Sequence, residues 1–348
     1  MSRIGRIQDK LSKTGIDLLV LKDQANIVYA IDYEQPLSGM LLIPKIGEAK
    51  LLTTPLESVN LPQSVNGVKI VKLERGERYL QRLLKEKKDD LKYIEFDSLE
   101  MQEALKLEKE MHALVKTGNR MVRELRMVKD TREIDKMRKA AEIASLTLRE
   151  TLNGLSEGVT EVEVARQYDS KIVFKGALKS AFETIVAFGE NSSNPHAIPS
   201  SRRLKRGECV LIDAGVDYLN YKSDLTRTII FGEHSNRKNI EELIEVVEES
   251  KKAAEKKAFP GVKVCELDRC ACEVLEEYGL GKYFAHGLGH GVGLDIHEPP
   301  AIHPLNTEEL KAGNIITIEP GVYMPGVGGV RIEDTYLITD SGPVKLTF

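Results

Sequence analysis

Residues 210–231, VLIDAGVDYLNYKSDLTRTIIF, constrain this chain more than any other stretch, because they read as two short strands joined by a turn, each carrying an aspartate. Val210, Ile212, Ala214 and Val216 alternate onto the face opposite Asp213, and Asp224, Thr226 and Thr228 share one face of the second strand. With the hairpin centred between Tyr218 and Leu219, Asp213 and Asp224 stand directly opposite each other. Opposed cross-strand residues hold their Cβ atoms roughly 4.5–5.5 Å apart. Two carboxylates at that spacing repel unless a cation lies between them, so the pattern predicts one or two metal ions. The plainer alternative is a surface hairpin with two solvated acids, its turn lacking both Asn-Gly and Asp-Gly.

A length of 348 residues predicts about two domains. With 41% hydrophobic and 30% charged residues, the composition is that of a soluble globular protein. The net charge of −4 gives no footprint for nucleic acid or for an anionic membrane surface. The opening MSRIGRIQDK has no apolar h-region and no stretch approaches a membrane span, which predicts a cytoplasmic location. Cys209, Cys265, Cys270 and Cys272 form no Cys-x-x-Cys pair, and the last three fall in a helical stretch; they read as reduced thiols.

Residues 1–119 are expected to form a first α/β domain. Ile4, Ile7 and Leu11 line one face of an opening helix, and apolar runs follow at 16–21, 40–43, 51–52 and 68–73. Helical stretches at 78–88 and 99–115 flank the run 93–96, as helices on a sheet do. The charged segment 85–92 reads as a solvated face. The boundary is expected at 116–120, where Thr117, Gly118 and Asn119 interrupt the helical pattern. In the second domain, 120–348, capping boxes at Asp130/Glu133 and Thr160/Glu163 open two helices. The first of these helices has apolar positions at Ile134, Met137, Ala141, Ala144 and Leu148. Further helices are expected at 239–257 and 267–278.

The strands of the second domain carry the unusual residues. His196 sits in the polar loop NSSNPHAIPS, where a histidine is most often only a loop residue. In HGLGHGVGLDIHEPP, glycines at 287, 289, 291 and 293 strip one face of a strand, which is tolerated where something approaches the backbone closely. His297 differs in parity from His290 unless a bulge intervenes. The apolar strand 315–319 ends in Glu319, and 330–338 alternates so that Arg331, Glu333 and Thr335 share a face. A carboxylate ending a buried strand is costly unless paired or metal-bound. Asp213, Asp224, His290, Glu319 and Glu333 make four carboxylates and one imidazole, a donor set for hard or borderline dications such as Mn or Co.

LIDAGVDYLNYKSDLTRT, HGLGHGVGLDIHEPP, TIEPGVY and GGVRIEDT, in this order and spacing, resemble the pita-bread metallopeptidases, specifically the prolidase and aminopeptidase P branch. The resemblance covers about residues 120–348, and residues 1–119 are similar in size and pattern to the creatinase-type N-terminal domain of that branch. It implies an α/β (α+β) chain: a small creatinase-type domain, then a pita-bread domain with a curved antiparallel sheet and covering helices. It further implies two divalent ions per subunit, Mn or Co first and Zn or Fe after them. Asp213 would hold one ion, Asp224 and Glu333 would bridge, and His290 and Glu319 would hold the other. His196 and His297 would contact substrate and the tetrahedral intermediate, with Arg331 as an active-site cation and Glu319 also as proton acceptor. The implied reaction is hydrolysis of an Xaa-Pro bond, in a small peptide with proline second, by a water bridging the two ions in a homodimeric enzyme.

Four alternatives stand beside the dipeptidase: an Xaa-Pro aminopeptidase acting on longer peptides, a non-catalytic pita-bread binding protein, a metal-independent creatinase-like hydrolase, and a methionine aminopeptidase. The second and third would lack some of the five ligands, and the large first domain argues against the last. Chain length favours the dipeptidase, but a dipeptidase needs a cation for the proline carboxylate. The segment EPPAIHP after His297 has no Arg or Lys, and His303 is a weak substitute. The partner subunit's Lys22, Arg75 or Arg78 are candidate sources.

Overall fold

A computed structural model describes residues 2–34, 37–59, 61–86, 91–118, 120–232 and 238–348. They form two units, Met1–Arg126 and Met127–Phe348.

In the first unit, α1 (Arg3–Thr14) starts at Ser2, whose hydroxyl accepts from the Gly5 amide, and buries Ile4, Ile7 and Leu11. There follow β1 (Leu18–Leu21), α2 (Gln24–Ile31), β2 (Met40–Pro44), β3 (Ala49–Thr53), β4 (Ser64–Val65), β5 (Val68–Lys72), α3 (Tyr79–Lys85), β6 (Tyr93–Phe96), α4 (Met101–Met111), β7 (Leu114–Thr117) and α5 (Arg120–Met127). The strands join in one mixed sheet of order β4-β5-β3-β2-β1-β6-β7, with Val20, Leu42, Leu52, Ile94, Phe96 and Leu107 in its core.

Two of these elements differ from the sequence expectation. α2 is buried along Asn26–Ile31, and an apolar run of that kind has no 3.6-residue period to reveal a helix. The stretch 99–115 is not one helix, because His112 turns left-handed at φ 50° and ends α4, freeing the chain to pair as β7 beside β6. The charged segment 85–92 and the end of the helical stretch 78–88 fall partly on residues 87–90, outside the described residues. The division after Arg126 lies beyond the expected 116–120, of which Asn119 is outside the described residues. α5 is tied to the first unit by Tyr29, whose hydroxyl donates to the Leu125 carbonyl at 3.3 Å, and by the Lys10–Glu124 pair at 2.9 Å.

The second unit opens with α6 (Thr131–Asn153) and α7 (Glu161–Phe174), both starting at the expected capping boxes. Next come β8 (Lys179–Ser180), β9 (Ile185–Phe188), β10 (Cys209–Ala214), β11 (Val216–Tyr218), β12 (Tyr221–Lys222), β13 (Leu225–Ile230), α8 (Lys238–Glu255) and α9 (Val264–Glu277). The last strands are β14 (Gly289–Gly291), β15 (Glu298–Ile302), β16 (Ile315–Ile318), β17 (Gly321–Met324), β18 (Gly328–Arg331), β19 (Asp334–Thr339) and β20 (Gly342–Lys345). The sheets run β13-β10-β9, β12-β11-β8, β15-β14-β16-β19-β20 and β17-β18, and every ladder among the described residues of this unit is antiparallel. α6 and α7 cover one layer through Leu148, Tyr168, Phe188 and Ile212, while α9 covers another through Leu267, Ala271, Leu288 and Ile316.

Two registers correct the sequence reading. The hairpin turns on Leu219 and Asn220, both at positive φ (50° and 72°), so Tyr218 faces Tyr221 and Asp213 faces Thr226 rather than Asp224. Positive φ at both turn residues suits the twist of a two-residue hairpin, but leucine gives no sequence signal for it. The stretch 330–338 is not one strand: β18 pairs with β17, β19 pairs with β16, and Glu333 stands in the break.

Candidate metal centre

A cavity of about 590 Å³ in the second unit is lined by His196, Asp213, Asp224, His290, His297, Glu319, Arg331 and Glu333, the eight residues expected to bind metal or act in catalysis. β10 delivers Asp213, the gap between β12 and β13 Asp224, β14 His290, the end of β16 Glu319, and the break after β18 Glu333. The alternate glycines explain how β14 fits. A Cβ at Gly289 would strike the Thr317 carbonyl, at Gly291 the carbonyls of Glu298 and Pro299, and at Gly293 the Glu298 carboxylate. The pairing of β14 with β15 shifts register between Gly289 and Gly291. His297, despite its parity, comes edge-on to His290 with ring centroids 4.2 Å apart.

One ligand atom each from Asp224, His290 and Glu333 lie within 4.8 Å of one another. His290 Nδ1 faces the Gly291 carbonyl at 3.0 Å, which assigns the ring proton of a neutral imidazole to that nitrogen. Nε2 then points a lone pair at Glu319 (3.2 Å) and Asp224 (3.6 Å), an arrangement that needs a proton or a metal ion between the groups. Burial pushes the His290 ring down, but the hydrogen bond to Glu319 and that residue's charge outweigh it and hold the ring above its usual value. Glu319 is the complement: burial opposes its charge, yet His290, with His286 and Arg331, holds it below the usual carboxylate range. Burial pushes the Asp213 carboxyl up against the pull of Arg331. Asp224 and Glu333 are pushed well up, first by burial and then by neighbouring carboxylates.

Of the two oxygens of Glu333, Oε2 accepts from the Thr226 hydroxyl at 2.7 Å, while Oε1 is buried without a partner; Asp213 Oδ1 is likewise buried and unpartnered. Orphaned buried acceptors are rare and costly. In a set of four carboxylates and one imidazole, divalent cations satisfy them, and the donor chemistry fits hard or borderline ions.

Arg331 is anchored on several sides. It donates to Asp213 Oδ2 (2.6 Å), to the Tyr323 hydroxyl (2.7 Å), to Thr226 Oγ1 (3.2 Å) and to the Pro195 carbonyl (3.3 Å). Tyr323, pushed up to about 12 chiefly by burial, also meets His286 Nε2 at 2.9 Å. Thr226, Tyr323 and His286 were not assigned a role from the sequence. Their only signal is position: two residues after Asp224, four after Glu319 and four before His290.

Residues 135–340 match the model of metallopeptidase family M24, and residues 3–128 match that of the Creatinase/Prolidase N-terminal domain. The chain is 35% identical over 348 residues to the Xaa-Pro dipeptidase of Pyrococcus horikoshii, with 99% of this chain and 96% of that protein covered. The solved Xaa-Pro dipeptidase from Bacillus anthracis superposes with a TM-score of 0.92 at 30% identity, covering 99% of this chain and 96% of that one. The X-Pro aminopeptidase from Thermotoga maritima gives a TM-score of 0.87 at 31% identity over 98% and 97% of the two chains. The chain therefore belongs to metallopeptidase family M24 and carries a Creatinase/Prolidase N-terminal domain.

Proposed function

We propose that this chain is a metal-dependent Xaa-Pro dipeptidase. The observation that carries the reading is the meeting of Asp213, Asp224, His290, Glu319 and Glu333 in one cavity, with two buried carboxylate oxygens left unpartnered. These five residues would hold two divalent ions, with Asp224 and Glu333 shared between them and Mn or Co preferred. Such ions supply Lewis acidity and lower the pKa of water.

The remaining work belongs to side chains. Glu319, kept ionised by His290, accepts the proton released by the attacking water and passes it to the leaving nitrogen. His297, pulled down by burial and by the neighbouring His290, stays neutral and donates a ring N–H to the developing oxyanion, with His196 as a second donor. Arg331 holds Asp213 in place. The leaving nitrogen of an Xaa-Pro bond has no N–H, so a site recognising its substrate by backbone hydrogen bonds would lose that contact. The apolar wall of Phe182, Ile185, Ile198, Ile296 and Ile302 suits recognition of the ring by shape.

One observation keeps the aminopeptidase reading in view. Apart from histidines, Arg331 is the only cation lining the cavity among the described residues, and it is engaged by Asp213. We place the missing carboxylate contact in a homodimer, where the partner's first domain closes the site; light scattering on the purified protein tests the dimer. We also place the enzyme in the cytoplasm; no helix of the described residues is long and apolar enough to cross a membrane.

The deciding experiment follows hydrolysis by the chelated enzyme after adding back single ions. Chelation is expected to abolish activity, and Mn(II) or Co(II) to restore it better than Mg(II), because the imidazole ligand favours a borderline ion. Full activity in a verified ion-free preparation would overturn the metal reading. Xaa-Pro is expected to be cleaved with kcat/KM at least about tenfold above Xaa-Pro-Yaa, a carboxylate contact of about 1.4 kcal/mol. Equal or better cleavage of the tripeptide makes the enzyme an aminopeptidase.

A further inference from the structure

The two acids assigned above as bridging ligands, Asp224 and Glu333, both stand where the ladders stop: one between β12 and β13, the other between β18 and β19. A residue outside a ladder lacks the strand partner that fixes its backbone, yet a metal site tolerates displacements of only about 0.5 Å. Side chains supply the missing ties. Arg227 Nη1 donates to the carbonyl oxygens of both Thr226 (3.0 Å) and Glu333 (2.6 Å), joining β13 to the segment that carries Glu333. The Glu333 N–H donates to the same Thr226 carbonyl at 3.1 Å. In the opposite direction, the buried Thr335 hydroxyl of β19 donates to the Asp224 carbonyl at 2.7 Å. Arg227 is in turn aimed by Asp334, whose Oδ1 accepts from Nη2 at 2.7 Å. Asp334 is fully buried and also accepts from Lys251 (2.6 Å) and the Thr347 hydroxyl (2.7 Å), so its carboxylate has little freedom to turn.

We propose that Arg227, gripped by Asp334, is a positioning residue of the metal centre: it sets the spacing of Asp224 and Glu333 by joining the backbones that carry them, and Thr335 makes the reciprocal tie. This rests on the assignment of those two acids as shared ligands. The planar fork of the guanidinium reaches two carbonyls from Nη1 and a carboxylate from Nη2, a spacing that the single nitrogen of an ammonium does not reproduce. The competing explanation is a buried ion pair that merely stabilises the fold. Lys251 separates the two, since it meets Asp334 but neither of the backbones that carry the ligands.

The test is calorimetric titration of the chelated full-length protein with Mn(II), alongside thermal unfolding of each variant. R227M and T335V are expected to weaken Mn(II) binding about 10–100-fold, the usual cost of losing a partner that orients a ligand. R227K should recover part of that loss, whereas K251M, which removes one of several partners of Asp334 and no tie to the ligand backbones, should lower Tm and cost less Mn(II) affinity than R227M. Wild-type affinity in R227M overturns the proposal, as does a K251M variant that loses affinity to the same extent. If R227M does not fold, T335V, which deletes one hydroxyl, carries the test, and wild-type affinity there is equally fatal. A wild-type protein that takes up no Mn(II) removes the ligand assignment itself and the clamp with it.

Discussion

Glu333→Gln is expected to lose bound divalent ions and more than about 100-fold in kcat/KM, beyond what outer partners of metal ligands cost, and yet to be more stable than the wild type once both are stripped of ions at neutral pH. Glu333 is 1% exposed, with one oxygen held by Thr226 and the other unpartnered. Burial, then the charges of Glu319 and Asp213, push its carboxyl well above the ordinary 4.5. Below about pH 4.5 the carboxyl is protonated in both folded and unfolded chains, so wild type and variant differ little. As the pH rises from there the unfolded chain releases the proton and the folded chain resists, so wild-type stability falls relative to a neutral amide that can still accept from Thr226. Added ions invert the order, because the same charge that is repelled in the empty site attracts a dication. Metal analysis and calorimetry in chelator at pH 5 and pH 8 check both halves. Two ions still bound to the variant would remove Glu333 from the ligand set. A chelated variant less stable than wild type at pH 8 would show that neither burial nor the neighbouring carboxylates raise the carboxyl in the folded chain.

Asp213, Asp224, His290 and Glu319 were legible because each announces a local conflict, whereas the roles of His196, His297 and Arg331 came only from the family resemblance. Asp213 and Asp224 read as acids in strand-like alternation, Glu319 ends an apolar strand, and the glycines around His290 leave a strand without side chains on one side. Each conflict needs an outside partner, and a shared one resolves them together. The register that brings them together was not legible. Pairing Asp213 with Asp224 requires a turn between Tyr218 and Leu219, but the chain turns one residue later, on a leucine at φ 50° that no propensity points to. The break at Glu333 escaped for a related reason. Its residues alternate as a strand should, and only the tertiary pairing of β18 with β17 and of β19 with β16 splits them between two sheets.

Residues that act through others left the weakest trace. Tyr323 and Thr226 satisfy the strand pattern and would be unremarkable on any buried sheet; what marks them is that both accept from Arg331. Arg227 and Asp334 read as ordinary polar alternation, and their tie exists only because residues 107 apart in sequence meet. In the first unit, α2 was missed because burial on all sides erases amphipathic period. The five proposed ligands could be found without knowing the fold, since chemistry singles them out, whereas their supports depend on it.

His297→Ala is expected to keep metal content near that of the wild type and to lower kcat by about 10²–10³-fold, the usual effect of removing one oxyanion donor, about 2.7–4 kcal/mol. His297 lines the cavity edge-on to His290 and stands outside the five residues proposed as ligands. Its ring is pulled down by burial and by the neighbouring His290, so at neutral pH it carries a proton on one nitrogen only. A neutral ring has one N–H to give, and the charge that needs it arises only as the carbonyl becomes tetrahedral. The loss should therefore fall on kcat rather than KM. His297→Asn, which keeps an N–H donor on a shorter side chain, should recover part of the rate if donation is the role and none if the ring only fills space. Inductively coupled plasma analysis of both variants beside steady-state kinetics on an Xaa-Pro dipeptide separates the cases. A His297→Ala protein that has lost an ion makes His297 a ligand, and one with full metal and unchanged kcat ends its part in the chemistry.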